Sequence, residues 1–347
     1  MSYELDEQQF SCRLQSPLQT ADGTIGRREG FLLRVSDGER FGLGEATPLE
    51  GWTESLEDCE NALARARTAI ESGPNAALEA VDATAAARHG VALALADLAA
   101  KRDANPLYRD LGALERVPRV PVNATIGDGS PTESADAARA AVDAGYECCK
   151  VKVGRSDVDA DVERLRAVRD AVGPSVELRA DVNGAWTFDE ARRALDSLED
   201  VDLAVLEQPL PAGALEGHAE LRGTDVEVAL DEGLLEHGVD AILEAEAADA
   251  VVLKPMALGG VDVARRVAAW LGEGGCAAIV STTIDAVVAR TAAVHLAASI
   301  PNVRASGVAT GSLLAHDLGR DPVFIDRGTA VVPQTKGIGV DDVWSDR

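Results

Sequence analysis

Along the chain, short apolar runs alternate with longer amphipathic stretches, and the alternation changes character near residue 118. Before that point the pattern is mixed. Phe31-Leu32-Leu33-Arg34-Val35, the turn signal Ser36-Asp37-Gly38-Glu39-Arg40 and Phe41-Gly42-Leu43-Gly44-Glu45 read as a β-hairpin. Ser16 through Gly26 reads as a polar, mobile loop, and Gly44 through Ser55 as a second loop that either connects or covers a site. Glu57–Ile70 and one or two segments within Ala76–Arg102 carry helical spacing, with Val91, Leu95 and Leu98 on one face. A helix-rich block after an antiparallel sheet predicts a small α+β domain.

After Pro118 and Pro121 the rhythm becomes regular. Apolar runs fall at Val120–Ala124, Cys148–Val153, Val176–Ala180, Leu203–Leu206, Val226–Ala229, Ala250–Leu253, Ala277–Val280 and, more weakly, Val303–Ser306. Amphipathic helices are predicted between them, including Pro131–Ala144, Asp159–Val172, Phe188–Leu198, Gly260–Leu271 and Ala286–Ala298. A spacing of about 25 residues fits one strand and one helix per unit, which predicts a parallel (β/α) barrel. The predicted organisation is an α/β chain with a capping domain over 1–115 and a barrel over 116–321. The Val-rich tail, 322–347, is expected to return to the first domain.

Composition narrows the function classes. A hydrophobic fraction of 46% is that of a globular protein. No apolar run reaches the roughly 18 residues that a membrane span needs. The start of the chain has no basic segment followed by an apolar one, so no signal peptide is read and a cytoplasmic location is expected. The formal charge of −26 disfavours nucleic acid as a partner, because neutralising phosphates needs a basic surface. It suits a protein that works at high salt, where screening shortens self-repulsion. The five cysteines are odd in number and form no CxxC pair, so buried, reduced thiols are expected.

Lysine is scarce: Lys101, Lys150, Lys152, Lys254 and Lys336 are all there is, and the other basic residues are arginine. Three of the five nevertheless sit in apolar runs. In a strand, Lys150 and Lys152 share a face, and in a barrel that face is the interior. Two ammonium groups side by side repel, which favours release of a proton from the pair.

Charged residues follow the apolar runs at successive strand ends: Lys152, then Asp181 and Asn183, Glu207, Asp231 and Glu232, and Lys254. Asp181, Glu207 and Asp231 would converge at the barrel mouth. Three carboxylates repel unless a cation joins them, and all-oxygen ligands suit Mg2+, with Mn2+ as the alternative. Asn183 and Glu232 would support that set. A small carboxylate substrate bound there would have its α-proton acidified, and a lysine would take the proton.

The set Lys150-x-Lys152, Asp181-x-Asn183, Glu207-Gln208-Pro209, Asp231-Glu232 and Lys254-Pro255 resembles the enolase superfamily, muconate-lactonizing subgroup. The resemblance covers nearly the whole chain. It implies a capping α+β domain on a modified (β/α)7β barrel, with Mg2+ held by Asp181, Glu207 and Asp231. Within the subgroup, four features are similar to the o-succinylbenzoate synthase family. They are Gly44-Glu45-Ala46-Thr47-Pro48-Leu49 with Gly51, Arg179 two residues before Asp181, Lys254 through Gly260, and Val280 through Asp285. That resemblance implies syn dehydration of 2-succinyl-6-hydroxy-2,4-cyclohexadiene-1-carboxylate in menaquinone biosynthesis. Lys152 would be the base and Lys254 a cation on the other ring face. Arg179 is expected to bind substrate, and Ser281, Thr282 and Thr283 to hold the succinyl carboxylate.

Other readings use the same site. A racemase or epimerase of N-acylamino acids or dipeptides would alternate the two lysines, although Arg304-Ala305-Ser306-Gly307 lacks the Asp pair typical of dipeptide epimerases. Muconate cycloisomerisation is a third reading. A non-catalytic binding protein on the same scaffold is disfavoured because every expected site residue is present. Whether the chain is a monomer or a homo-oligomer, and whether Arg27 or Arg28 meets the substrate, stays open at this level.

Overall fold

The computed structural model describes residues 2–20 and 23–344. The tip of the expected Ser16–Gly26 loop and the last three residues of the tail lie outside that description. Strands β1 (Glu4–Thr20), β2 (Gly23–Ser36) and β3 (Phe41–Ala46) form an antiparallel sheet in that order. The hairpin predicted at Phe31–Glu45 is present, with Phe31 opposite Ala46 and Ser36 opposite Phe41. The Ser16–Gly26 expectation needs correction: apart from the tip, this stretch is strand, with Leu18 opposite Ile25 beyond a register shift after Arg13. Its polar side chains conceal the strand: among the described side chains of this stretch only Ile25 is part-buried, so no apolar alternation is required.

Helices α1 (Leu56–Ala69), α2 (Pro74–Val81), α3 (Ala85–Asp103) and α4 (Leu107–Asp110) follow. Ser55 caps α1 by accepting from the backbone N–H of Asp58. The core between sheet and helices holds Leu33, Val35, Leu63, Ile70, Val91 and Leu98, all at most 1% exposed. Each such aliphatic side chain contributes about 1.5–3 kcal/mol through burial.

A short strand, β4 (Arg119–Pro121), pairs not with the barrel but with the tail, through β12 (Ile325–Asp326) and β13 (Thr329–Val331). The first predicted run therefore splits, and the barrel begins at β5 (Ala124–Ile126). From there β6 (Cys148–Lys152), β7 (Glu177–Asp181), β8 (Leu203–Glu207), β9 (Glu227–Leu230), β10 (Ala250–Leu253) and β11 (Ala277–Val280) stand side by side in chain order, all parallel. Parallel bridges from Ser281 to Gly307 and from Val122 to Ser306 carry the two sheet edges onto Ala305–Gly307, where an eighth strand belongs.

Between the strands run α5 (Pro131–Asp143), α6 (Val158–Val172), α7 (Phe188–Ser197), α8 (Leu215–Leu221), α9 (Glu232–Glu244), α10 (Pro255–Leu258), α11 (Val261–Glu273) and α12 (Val287–Ser299). Capping boxes start α5, through Ser130 and Glu133, and α7, through Thr187 and Glu190. The fold is α/β, an N-terminal sheet-and-helix layer on a curled parallel barrel. The tail returns: Ile338 and Val340 pack with Leu32, Leu43 and Leu93. Buried Asp97 fastens it there, accepting from the backbone N–H groups of both Leu43 and Ile338. All five cysteines are buried free thiols. Among the described residues no helix is long and apolar enough to cross a membrane.

Candidate active site

Strand register brings the key residues together. Lys152 stands opposite Asp181, and Asp181 opposite Glu207. Strand residues two apart share a face, so Lys150 also points into the barrel. Its ammonium reaches Oδ2 of Asp181 at 2.9 Å and the two carboxylate oxygens of Glu207 at 3.0 and 3.2 Å. Lys152 Nζ donates to Asp181 Oδ2 at 2.6 Å and to Asn183 Oδ1 at 2.9 Å. One strand beyond Glu207, Asp231 Oδ2 accepts from Lys254 Nζ at 2.6 Å. Lys152 is 35% exposed and faces the mouth, whereas Lys150 is 12% exposed and Lys254 13%.

Beside the expected repulsion between the paired lysines, Lys150 meets two carboxylates. Burial works to lower its pKa, but the carboxylates of Asp181 and Glu207 together outweigh burial and hold it above the ordinary lysine range. Burial likewise opposes ionisation of Asp181, yet Lys150 and Lys152 keep its pKa well below the usual carboxylate range. Glu207 is pushed up to about 7, by burial first and then by Asp181, against the pull of Lys150. Asp231 is pushed up to about 6 by burial, opposed by Lys254 and reinforced by Glu232. Glu232 Oε1 accepts from Asn183 Nδ2 at 3.3 Å, and its Oε2 is buried with no hydrogen-bond partner.

These observations test the fit to a divalent cation. The ammonium groups stand among the carboxylates, and among the described residues no three acidic, His or Cys side chains converge as a ready-made chelate. The donor set is nonetheless all oxygen and buried, and an acceptor beside it, Glu232 Oε2, is unmet. That chemistry fits Mg2+.

Residues that the motifs leave without a role prove to support this centre. Gln208 Oε1 accepts from the backbone N–H groups of Asp231 and Gly233, tying the ends of β8 and β9 together. Its φ of 42° and that of Asn183, 50°, lie in the left-handed region, where strand ends turn sharply. Arg164 of α6 donates to the carbonyls of Lys152 and Gly127, both at 2.9 Å, and so fixes the end of the lysine strand.

Arg179 is not at the mouth. Its guanidinium is fully buried, donates to Glu177 at 2.6 Å and to the Ala305 carbonyl at 2.8 Å, and so turns toward the barrel base. Sharing a strand face with Asp181 fixed its side of the sheet, not its direction along the axis. Ser281 and Thr282 follow directly on the C-terminal end of β11, where Thr282 and Thr310 hydroxyls lie 3.0 Å apart and Ser281 Oγ donates to the Gly307 carbonyl at 3.4 Å. Thr283 is turned away: its hydroxyl donates to Asp285 at 2.5 Å and is buried. Arg28 is also buried, donating to the carbonyls of Thr47 and Pro48, while Arg27 is exposed beside Glu29.

A family model described as enolase C-terminal domain-like matches residues 133–342. The chain belongs to that family. Over 351 residues, 97% of this chain and 95% of the relative, it is 27% identical to the L-Ala-D/L-Glu epimerase of Bacillus subtilis (strain 168). A substrate-liganded structure of that epimerase superposes with a TM-score of 0.89 over 98% of both chains. Over 220 residues, 61% of this chain and 66% of the relative, it is 40% identical to the o-succinylbenzoate synthase of Thermobifida fusca (strain YX). A dipeptide epimerase from Methylococcus capsulatus, solved with Mg and the dipeptide L-Arg-D-Lys, is 25% identical. It superposes at a TM-score of 0.87 over 98% of this chain and 99% of that one. The chain is thus an enolase-superfamily enzyme by fold and family.

Proposed function

We propose that this enzyme is an o-succinylbenzoate synthase, a lyase that removes water from 2-succinyl-6-hydroxy-2,4-cyclohexadiene-1-carboxylate. The observation that carries the reading is the hydroxyl cluster at the mouth, Ser281, Thr282 and Thr310. Turned from their present partners, the Gly307 carbonyl and each other, these hydroxyls would donate to a second, succinyl carboxylate. A dipeptide's free ammonium would need a carboxylate at the eighth strand, and Val303 to Thr310 contains none. The 40% identity with the T. fusca synthase supports the same choice.

Asp181, Glu207 and Asp231 would hold Mg2+, which when bound supplies the positive charge that acidifies the carbon beside the substrate carboxylate. Lys152 removes that proton. It then gives the proton to the departing ring hydroxyl, so one C–H and one C–O bond break, water leaves and the ring becomes aromatic. Base and acid are one residue, so both bonds break on one face. Lys254, anchored on Asp231 across the site, remains a cation facing the ring.

A second reading is racemisation of N-succinylamino acids. It is favoured by the placement of Lys152 and Lys254 on opposite sides of the carboxylates. A steady-state assay with Mg2+ in high-salt buffer separates the two. The synthase reading expects rapid ultraviolet loss of the cyclohexadiene with little racemisation by polarimetry. Good racemisation without dehydration would overturn it.

A further inference from the structure

The capping-domain loop from Thr47 to Glu54 meets Lys254 directly. Lys254 Nζ lies 3.4 Å from the centroid of the Trp52 ring and donates to Asp231 Oδ2 at 2.6 Å. The ammonium thus contacts both a carboxylate and an electron-rich aromatic face.

The loop is clamped at both ends. At its start, Arg28 donates to the carbonyls of Thr47 and Pro48 at 2.8 and 3.2 Å. The Thr47 hydroxyl donates to Glu45 at 2.6 Å, and Glu45 in turn accepts from the backbone N–H groups of Ala286 and Ala289 at the start of α12. The Thr47 N–H faces the sulfur of Met256, two residues after Lys254. At the far end, the Glu54 carboxylate accepts from Ala86 and Ala87 at the start of α3. Between the clamps, the Trp52 and Thr53 N–H groups both close on the Leu49 carbonyl, and Thr53 Oγ1 accepts from Leu49 N–H. Trp52 therefore stands as a wall of the site.

We infer that Trp52 is a positioning residue that parks the Lys254 ammonium as a fixed charge and so steers the site toward dehydration over racemisation. The inference rests on the proposed dehydration. That reaction asks Lys254 only to stay in place opposite the developing negative charge. Racemisation asks its Nζ to leave Asp231 and Trp52 and reach the α-carbon from the opposite side to Lys152. A ring face at this distance opposes the second motion and leaves the first role intact.

The test uses the full chain with Mg2+ and two probes of Trp52. Trp52→Leu removes the ring face. Fluorinated tryptophan, incorporated throughout, keeps the shape and withdraws electrons from the face, so it remains informative where the Leu variant folds poorly. The inference expects Trp52→Leu to lower kcat for dehydration about tenfold with KM within about twofold. It expects the ratio of N-succinylamino acid racemisation to dehydration to rise, and kcat to fall stepwise with fluorine content. Equal loss of both activities, a change confined to KM, or indifference to fluorination would overturn it. Exchange of the α-proton in deuterated water, followed for each antipode of an N-succinylamino acid, separates this inference from the assigned reaction. If the wild type dehydrates nothing, the assigned reaction fails. Trp52 is then judged by whether the slowly exchanging antipode speeds up in the Leu variant, and no change there would overturn its role.

Discussion

His295 sits fully buried on α12, stacked on the Tyr108 ring with centroids 5.9 Å apart. Its Nε2 lies 2.9 Å from the Ile338 carbonyl, and its Nδ1 accepts from the Tyr108 N–H at 3.3 Å. Those partners require the neutral ring, with the proton on Nε2; a second proton on Nδ1 would face another N–H. Burial lowers the pKa to about 4 against the Ile338 hydrogen bond. Between about pH 6.5 and 4 the unfolded chain binds this proton and the folded chain does not, so stability falls as pH falls through that window and levels below it. The share of His295 is up to about 3 kcal/mol. Urea unfolding of the wild type and of His295→Gln, at pH 7 and pH 4.5, should show the wild type losing more stability on acidification. Equal losses would contradict this account. Lys150, Arg28 and Arg179 teach a related lesson. The strand faces of Lys150 and Arg179 were legible in the sequence, whereas Arg28 was assigned to no strand. Their behaviour was not legible, because it depends on partners far along the chain: Asp181 and Glu207 for Lys150, Thr47 and Pro48 for Arg28, Ala305 for Arg179.

At the scale of elements, the approach of α3 to β3 depends on glycines. A Cβ at Gly44 would collide with the Gly90 carbonyl oxygen and lie 2.9 Å from the Ala94 nitrogen. Both are helix backbone atoms and cannot swing aside. Gly44→Ala should therefore cost about 3 kcal/mol or more, read as a lowered unfolding midpoint in urea. An unchanged midpoint would show that helix and sheet can slide apart freely. The barrel strands were readable because burial on both faces leaves continuous apolar runs, and most helices because amphipathic stretches stand between those runs. The β1–β2 extension was missed because, among its described side chains, Ile25 alone is part-buried, too little to impose a period. The sequence left open whether the Gly44–Ser55 loop connects or covers a site. Its Gly and Pro punctuation announced a loop, while the contact between Trp52 and Lys254 joins residues that nothing in the local sequence relates.

For the whole molecule, the charge of −26 acts on everything at once. Self-repulsion among exposed carboxylates opposes the compact state, and salt screens it. The thermal midpoint should rise when salt is raised from low to molar concentration, and circular dichroism should show loss of structure on dialysis to low salt. A midpoint indifferent to salt would remove the case for a high-salt habitat. The chain itself spans both layers of the functional unit: the mouth residues come from the barrel, Trp52 comes from the N-terminal layer, and the tail binds that layer to the barrel.

The central claim is that Lys152 moves the proton at a carboxylate-lined mouth built to hold Mg2+. Its most direct test is turnover and Mg2+ affinity measured on the same preparation of Lys152→Ala. The account predicts that turnover falls by at least about a thousandfold while Mg2+, followed by calorimetry, still binds. Turnover near that of the wild type would contradict it.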